Sequence, residues 1–206
     1  MPQSHIPEVF PMFRKLALAT ALAAASFTAA AADKYEFDGN HTNVVFSWSH
    51  FGLSNPSARF SKVEGELLLD TADLTKSSVS VTIPVDSLRT DVAKFDEHLR
   101  SPDFFDLAKF PTASFKSTKV EKAGDNKLKV SGDLTIHGVT KPAVLDVTVN
   151  KIGEHPMAKK PAAGFDASIT VKRSDFGLGA YVPNVSDDVK IHITTETLKA
   201  GEKKAG

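Results

Sequence analysis

Equal numbers of basic and acidic side chains, 25 of each over 206 residues, leave a formal net charge of zero, which excludes both the basic stripe of a nucleic-acid binder and electrostatic capture by an anionic membrane. With no cysteine, neither disulfide staples nor thiol chemistry is open to the chain. Fourteen phenylalanines against two tyrosines and one tryptophan favour aromatic side chains without a polar handle.

In chain order, Met12-Phe13-Arg14-Lys15 supplies a basic start, and Leu16 to Phe27 an apolar run too short to span a bilayer. Ala30-Ala31-Ala32 supplies the small residues that a signal peptidase needs. Residues 1–32 therefore read as a secretory signal peptide, with residues 1–11 readable as an overlong start because Met12 directly precedes the charged pair. An N-terminal membrane anchor is the alternative, disfavoured by a short, alanine-rich run. Export without a lipidated cysteine or a second apolar span predicts a soluble protein of a bacterial periplasm or exterior, the periplasm being the expected location, with no stable membrane insertion. Residues 33–198 are enough for one domain with a sizeable core, and 199–206 read as a disordered tail.

Beyond the leader, Asn43 to His50 alternates cleanly, with Val44, Phe46, Trp48 and His50 on one face and Val45, Ser47 and Ser49 on the other. The same period of two recurs in Ser78 to Val85, Lys127 to Ile136, Phe165 to Arg173 and Val189 to Thr197. Ala58 to Leu69, Thr112 to Val120 and Ala143 to Lys151 complete about eight half-buried antiparallel strands, separated by turn signals such as Asn55-Pro56 and Gly124-Asp125-Asn126. Such a series closes as a barrel or stacks as a sandwich.

Val92 to Pro111 breaks the period. Val92, Phe95 and Leu99 fall at helical spacing, with Asp91 placed to cap the helix. Ser101-Pro102-Asp103 reads as a cap followed by proline at the first position of another helix, and Phe104, Phe105, Leu107 and Phe110 follow at once. A surface connection has nothing on which to pack so much aromatic area, so the segment is expected to lie across a hydrophobic opening, which favours an eight-stranded antiparallel barrel with a short helical element across one end. Such a barrel has room for either a packed interior or one small ligand.

Six histidines follow the leader, and none stands at a metal-ligand spacing. His192, on a polar face, and His155, in a loop, read as solvated. His50 ends an apolar face, as a hydrogen-bonded core or rim residue or as a donor to a ligand's head group. Asp96-Glu97-His98 resembles acid–base machinery, but adjacent helical residues do not face one another, and Arg89 or Arg100 can pair with the acids. No nucleophile elbow or phosphate-cradling glycine loop is present in the sequence. Phe37, Phe60 and Phe115 fit core packing, whereas Phe51, Phe104, Phe105 and Phe110 fit cavity walls as well as they fit core.

Four stretches resemble, in order, the YceI family: Asp38 to Leu53, His98 to Pro111, Val130 to Pro142, and Gly164 to Gly177 ending in Arg173-Ser174-Asp175-Phe176-Gly177. One departure is His41-Thr42 where the family usually has His-Ser. The resemblance implies an exported, lipocalin-like barrel around an elongated apolar channel for an isoprenoid tail, as of a quinone or polyprenyl phosphate, with the segment matching His98 to Phe105 by its mouth. It further implies carriage, storage or a role in stress response. The residues expected to line the channel and mouth are Val44, Phe46, Trp48, His50, Phe51, Val81, Ile83, His98, Leu99, Phe104, Phe105, Phe110, Phe115, Leu134 and Phe165, with no catalytic and no metal-binding residue. The expected partner is an amphiphilic lipid, with no cofactor beyond a bound isoprenoid lipid or quinone, no nucleic acid, and a homodimer through an edge or the mouth as an option. Two readings compete: an enzyme acting on an isoprenoid head group through His50, His98 and Asp96, and a β interaction module with a packed core.

Overall fold

The computed structural model describes residue 1 and residues 32–201. The expected signal peptide lies outside these residues apart from its two ends, and so do residues 202–206.

Eleven strands make one antiparallel sheet: β1 (Asp33–Phe37), β2 (Asn43–Ser47), β3 (Ser57–Phe60), β4 (Glu64–Leu69), β5 (Ser78–Pro84), β6 (Leu88–Arg89), β7 (Thr112–Gly124), β8 (Lys127–Ile136), β9 (Val139–Glu154), β10 (Pro161–Lys172) and β11 (Asp188–Lys199). β1, β4, β5, β7, β8, β9, β10 and β11 follow edge to edge, and β11 pairs back onto β1, so the sheet closes on itself. This is a barrel of eight staves, not a sandwich. Three staves are broken strands: β2 continues β1 along β11, β3 continues β4, and β6 continues β5.

The breaks have local causes. Between β1 and β2, Asp38 accepts hydrogen bonds from the Asn40 amide (2.9 Å) and lies 2.7 Å from His41 Nδ1, which turns the chain out of register. Near the start of β4, Gly65 has φ +139, and a Cβ there would stand 2.1 Å from the Ser80 carbonyl oxygen, so the two backbones approach too closely for any side chain. A 3-10 turn at Val85–Ser87 separates β5 from β6.

Each of the eight alternating stretches in the sequence supplies one stave. β1 and β6 were not foreseen, and Asn43 to His50 is shorter than its alternation, because the chain leaves the ladder after Ser47 and His50 makes only isolated bridges to Ser54 and Val185. At its C-terminal end β11 includes Lys199, which pairs with Tyr35, and the Ala200 amide donates to Lys34 O at 2.8 Å. His155 lies in the β9–β10 loop as expected but is half-buried and not simply solvated: its Nδ1 accepts from the Met157 and Ala158 amides and closes the turn.

The helix α1 (Ala93–Arg100) lies where the period breaks, with Leu99 and Asp96 buried. Asp91 does not cap it; Asp91 sits at φ +65, exposed, 3.5 Å from Arg59. The entry is fixed instead by Asp96, whose carboxylate accepts from the Thr90 amide and hydroxyl, both at 2.6 Å. Val92 is 57% exposed and not part of the packed face. No second helix forms at Ser101-Pro102-Asp103. The amides that would start it, from Phe105, Asp106 and Leu107, fold back onto the carbonyls of Leu99, Ser101 and Arg100 and close the end of α1. Arg100 pairs with Asp96 at 3.9 Å, while Arg89 donates to backbone carbonyls.

Candidate functional site: an apolar cavity

Inward residues of the staves carry the apolar face of each alternation, yet many are only half-buried: Val79, Val81, Ile83, Leu134, Ile191 and Ile193 point inward and still retain accessible surface. The reason is a cavity of about 280 Å³ inside the barrel. At one end, inward-facing Tyr35 (2% exposed) packs with Leu67, Leu69 and Ala163 and fills the bore, and the wholly buried Thr197 hydroxyl donates to Ala163 O. At the other, α1 and the turns after it lie across the strands.

Under α1 the wall is aromatic. Phe46 stacks on Trp48 (5.8 Å between centroids) and Phe60 (5.3 Å) and meets Phe105 edge-on (6.0 Å), while Trp48 meets Phe95 of α1 edge-on at 6.0 Å. Farther along, Phe115 of β7 lies over Gly132 of β8, where a Cβ would come within 2.5 Å of the ring. The glycine is thus what lets a large side chain lie flat on the wall.

Of the residues expected at the channel, Val44, Phe46, Trp48, Val81, Ile83, Leu99, Phe104, Phe105, Phe115, Leu134 and Phe165 face the cavity; His50, Phe51, His98 and Phe110 do not. Phe110 packs against His137 (4.3 Å) and over Gly138, because a left-handed turn at His137-Gly138 offers it a niche outside the bore. His50 and Phe51 are exposed and in edge-on contact at 4.5 Å, beyond the point where β2 leaves the ladder. His98 is exposed, with its ring 4.9 Å from that of Phe104. Asp96 is spent on Thr90, and among the described residues no hydrogen bond joins it to His50 or His98. The three groups of the enzyme reading are not assembled.

Sequence reasoning placed Phe60 in the core and not on the cavity wall, and missed as lining the inward rungs of β10 other than Phe165, those of β11, and Arg173. The last had a signal: on the register of Phe165, Ala167, Ile169 and Val171, the next inward position is an arginine. Arg173 is 8% exposed and its guanidinium donates to three carbonyls, Ser186 O (2.9 Å), Val185 O (3.0 Å) and Leu178 O, so it clamps the segment between Leu178 and Ser186 to the barrel end. Burial pushes its pKa down from the ordinary value, opposed by the charge of Asp187. Two other lining polar groups are also satisfied: Thr42 and Thr195 hydrogen-bond each other at 2.7 Å. The surface shown to the cavity is consequently almost entirely hydrocarbon.

Asp38, His41 and Glu196 bring three donor atoms within 4.8 Å of one another on the outside of the barrel, although no spacing in the sequence announces the set. The hydrogen bond from His41 holds the Asp38 carboxyl below its ordinary pKa, and Asp38 raises that of His41. That bond, with the Asn40 turn, accounts for the placement of Asp38 and His41.

The model of the YceI-like domain matches residues 35–197, all of the barrel but two residues at each end. The chain belongs to the YceI family. A relative named a UPF0312 protein, from Vibrio cholerae, is 38% identical over 185 residues, covering 87% of this chain and 97% of its own length. Among solved structures, the YceI protein of Campylobacter jejuni superposes with a TM-score of 0.69 at 31% identity, covering 74% of this chain and 90% of that one. A polyisoprenoid-binding domain from Saccharophagus degradans has the same fold at 16% identity, with a TM-score of 0.64 over 81% of this chain and 98% of that one. The expected YceI-like barrel with a short helix across one end is therefore the observed fold.

Proposed function

We propose that this YceI protein is an exported carrier or reservoir for a long-chain isoprenoid amphiphile of the quinone or polyprenyl phosphate type, held by its tail inside the barrel. The observation that carries the reading is the almost entirely hydrocarbon surface of the cavity, at which Thr42, Thr195 and Arg173 already have hydrogen-bond partners. The described polyisoprenoid-binding domain of the same fold supports it. Burying ten methylene equivalents at about 0.8 kcal/mol each yields about 8 kcal/mol, near micromolar affinity before ordering costs, and a longer tail leaves a margin. Val44, Phe46, Trp48, Val81, Ile83, Leu99, Phe104, Phe105, Phe115, Leu134 and Phe165 contact the tail, and the head group stays at the end under α1. Release into the periplasm through the leader at residues 1–32, with use in carriage, storage or stress response, belongs to the same proposal.

Native mass spectrometry of protein isolated gently from its own envelope fraction should reveal a co-purifying lipid, and the emptied protein should take up added prenols or quinones. Absence of both would overturn the assignment. Cell fractionation tests the location: the processed chain should appear in the periplasmic extract.

A further inference from the structure

The cavity's α1 end is bordered by two loops with an unusual surface. Ser47 to Ala58 and Phe176 to Ser186 contain no Asp, Glu, Lys or Arg, in a chain that is 24% charged. They form one rim: the Phe51 amide donates to Asn184 O at 2.8 Å, the Ser186 amide to Ser49 O at 2.9 Å, and His50 bridges Val185. On that rim stand Phe51 (53% exposed), Leu53 (87%), Tyr181 (61%) and Val182 (39%). Phe51 and Tyr181 hold left-handed backbone, with φ of 53 and 65, a costly conformation for aromatic residues that here accompanies side chains left in the open. The rim is continuous with the cavity, since Trp48, Leu178 and Val185 line it and Tyr181 stacks on Phe104, which also lines it.

We propose that this rim is a membrane-docking surface, on which Phe51, Leu53, Tyr181 and Val182 enter the interfacial layer of a bilayer and set the cavity end against the leaflet that holds the cargo. An uncharged patch of phenyl, phenol and aliphatic groups matches the interface between head groups and acyl chains, where aromatic side chains settle. With no cation on either loop and a net charge of zero, attachment rests on insertion and not on attraction to anionic lipid. Arg173, by clamping Leu178 to Ser186, keeps the rim shaped before contact. This inference rests on the carrier reading for the reason a bilayer is met, but its test is separate.

The full chain without its leader is floated with phosphatidylcholine vesicles in low salt and in 1 M NaCl, following the emission of its single tryptophan, Trp48, beside the rim. Flotation is expected in both salts, with a blue shift of Trp48. Leu53→Asp, at a position open enough to leave folding untouched, and Phe51→Asp, whose left-handed backbone suits aspartate, should each lower vesicle affinity at least tenfold while uptake of a prenol from detergent micelles is unchanged. No flotation, flotation abolished by salt, or flotation indifferent to both variants would overturn the proposal. So would a wild-type dimer in sedimentation that Leu53→Asp dissolves, which would assign the rim to a second copy. Failure of prenol uptake with vesicle binding intact would strike the carrier reading alone.

Discussion

Filling the bore tests the hollow interior most directly. Ala167 on β10 is 8% exposed and faces the cavity. Ala167→Phe places a phenyl ring into empty space, adding about 120 Å² of buried apolar area, or about 3 kcal/mol at 25 cal/mol per Å². Ordering the ring costs about 1 kcal/mol, leaving about 2 kcal/mol of stabilisation, which for a domain of this size raises Tm by roughly 4–8 °C. The same ring removes space from a cavity of about 280 Å³, so isoprenoid affinity should fall at least tenfold. Melting curves of lipid-free protein and a titration with a fluorescent isoprenoid read the two effects in one preparation. A packed interior predicts the opposite sign, an overpacking loss of about 1–3 kcal/mol. A lower Tm with uptake intact would refute the reasoning.

Three further substitutions probe the walls and the entry. Phe104→Asp should cost about 1 kcal/mol of stability, because its ring is half-buried, and more than tenfold in prenol affinity; equal melting with unchanged uptake would remove Phe104 from the mouth. Gly65→Ala, with a Cβ 2.1 Å from Ser80 O at φ +139, should cost several kcal/mol in chemical denaturation, and a loss under 1 kcal/mol would mean that the bend relaxes freely. The Thr90 hydroxyl and amide hold the Asp96 carboxyl below the ordinary carboxylate value of 3.8. Its native pKa being the lower one, its contribution is complete above pH of about 4 and fades as pH falls through the native value. Asp96→Asn should therefore reduce stability at pH 7 and flatten the acid limb of a stability–pH profile; an unchanged limb would show that Asp96 carries none of it.

The staves were legible because period two is a property of the strand itself: Val79-Val81-Ile83 or Leu128-Val130 can face one way only. What faces them was not, since alternation names the inward side and is silent on whether another side chain reaches it. β1 escaped notice because Asp33, Lys34 and Glu36 surround the lone buried Tyr35. Phe110 was misplaced for a related reason: an aromatic in a connection must pack somewhere, and only the fold reveals that the His137-Gly138 turn offered a niche nearer than the bore. The carbonyl cage of Arg173 joins residues that are brief turns in sequence and acquire meaning only once β10 and β11 are side by side.

The seam of the barrel joins the first strands to the last: Asp33–Phe37 and Asn43–Ser47 are both held by Asp188–Lys199. Ring closure is thus the longest-range contact the fold makes and must await the emergence of β11. Without β11 the sheet has two unpaired edges and encloses no interior. Loading is therefore an event of the finished molecule, and a truncation that removes the final strand would forfeit the compartment itself rather than shorten it.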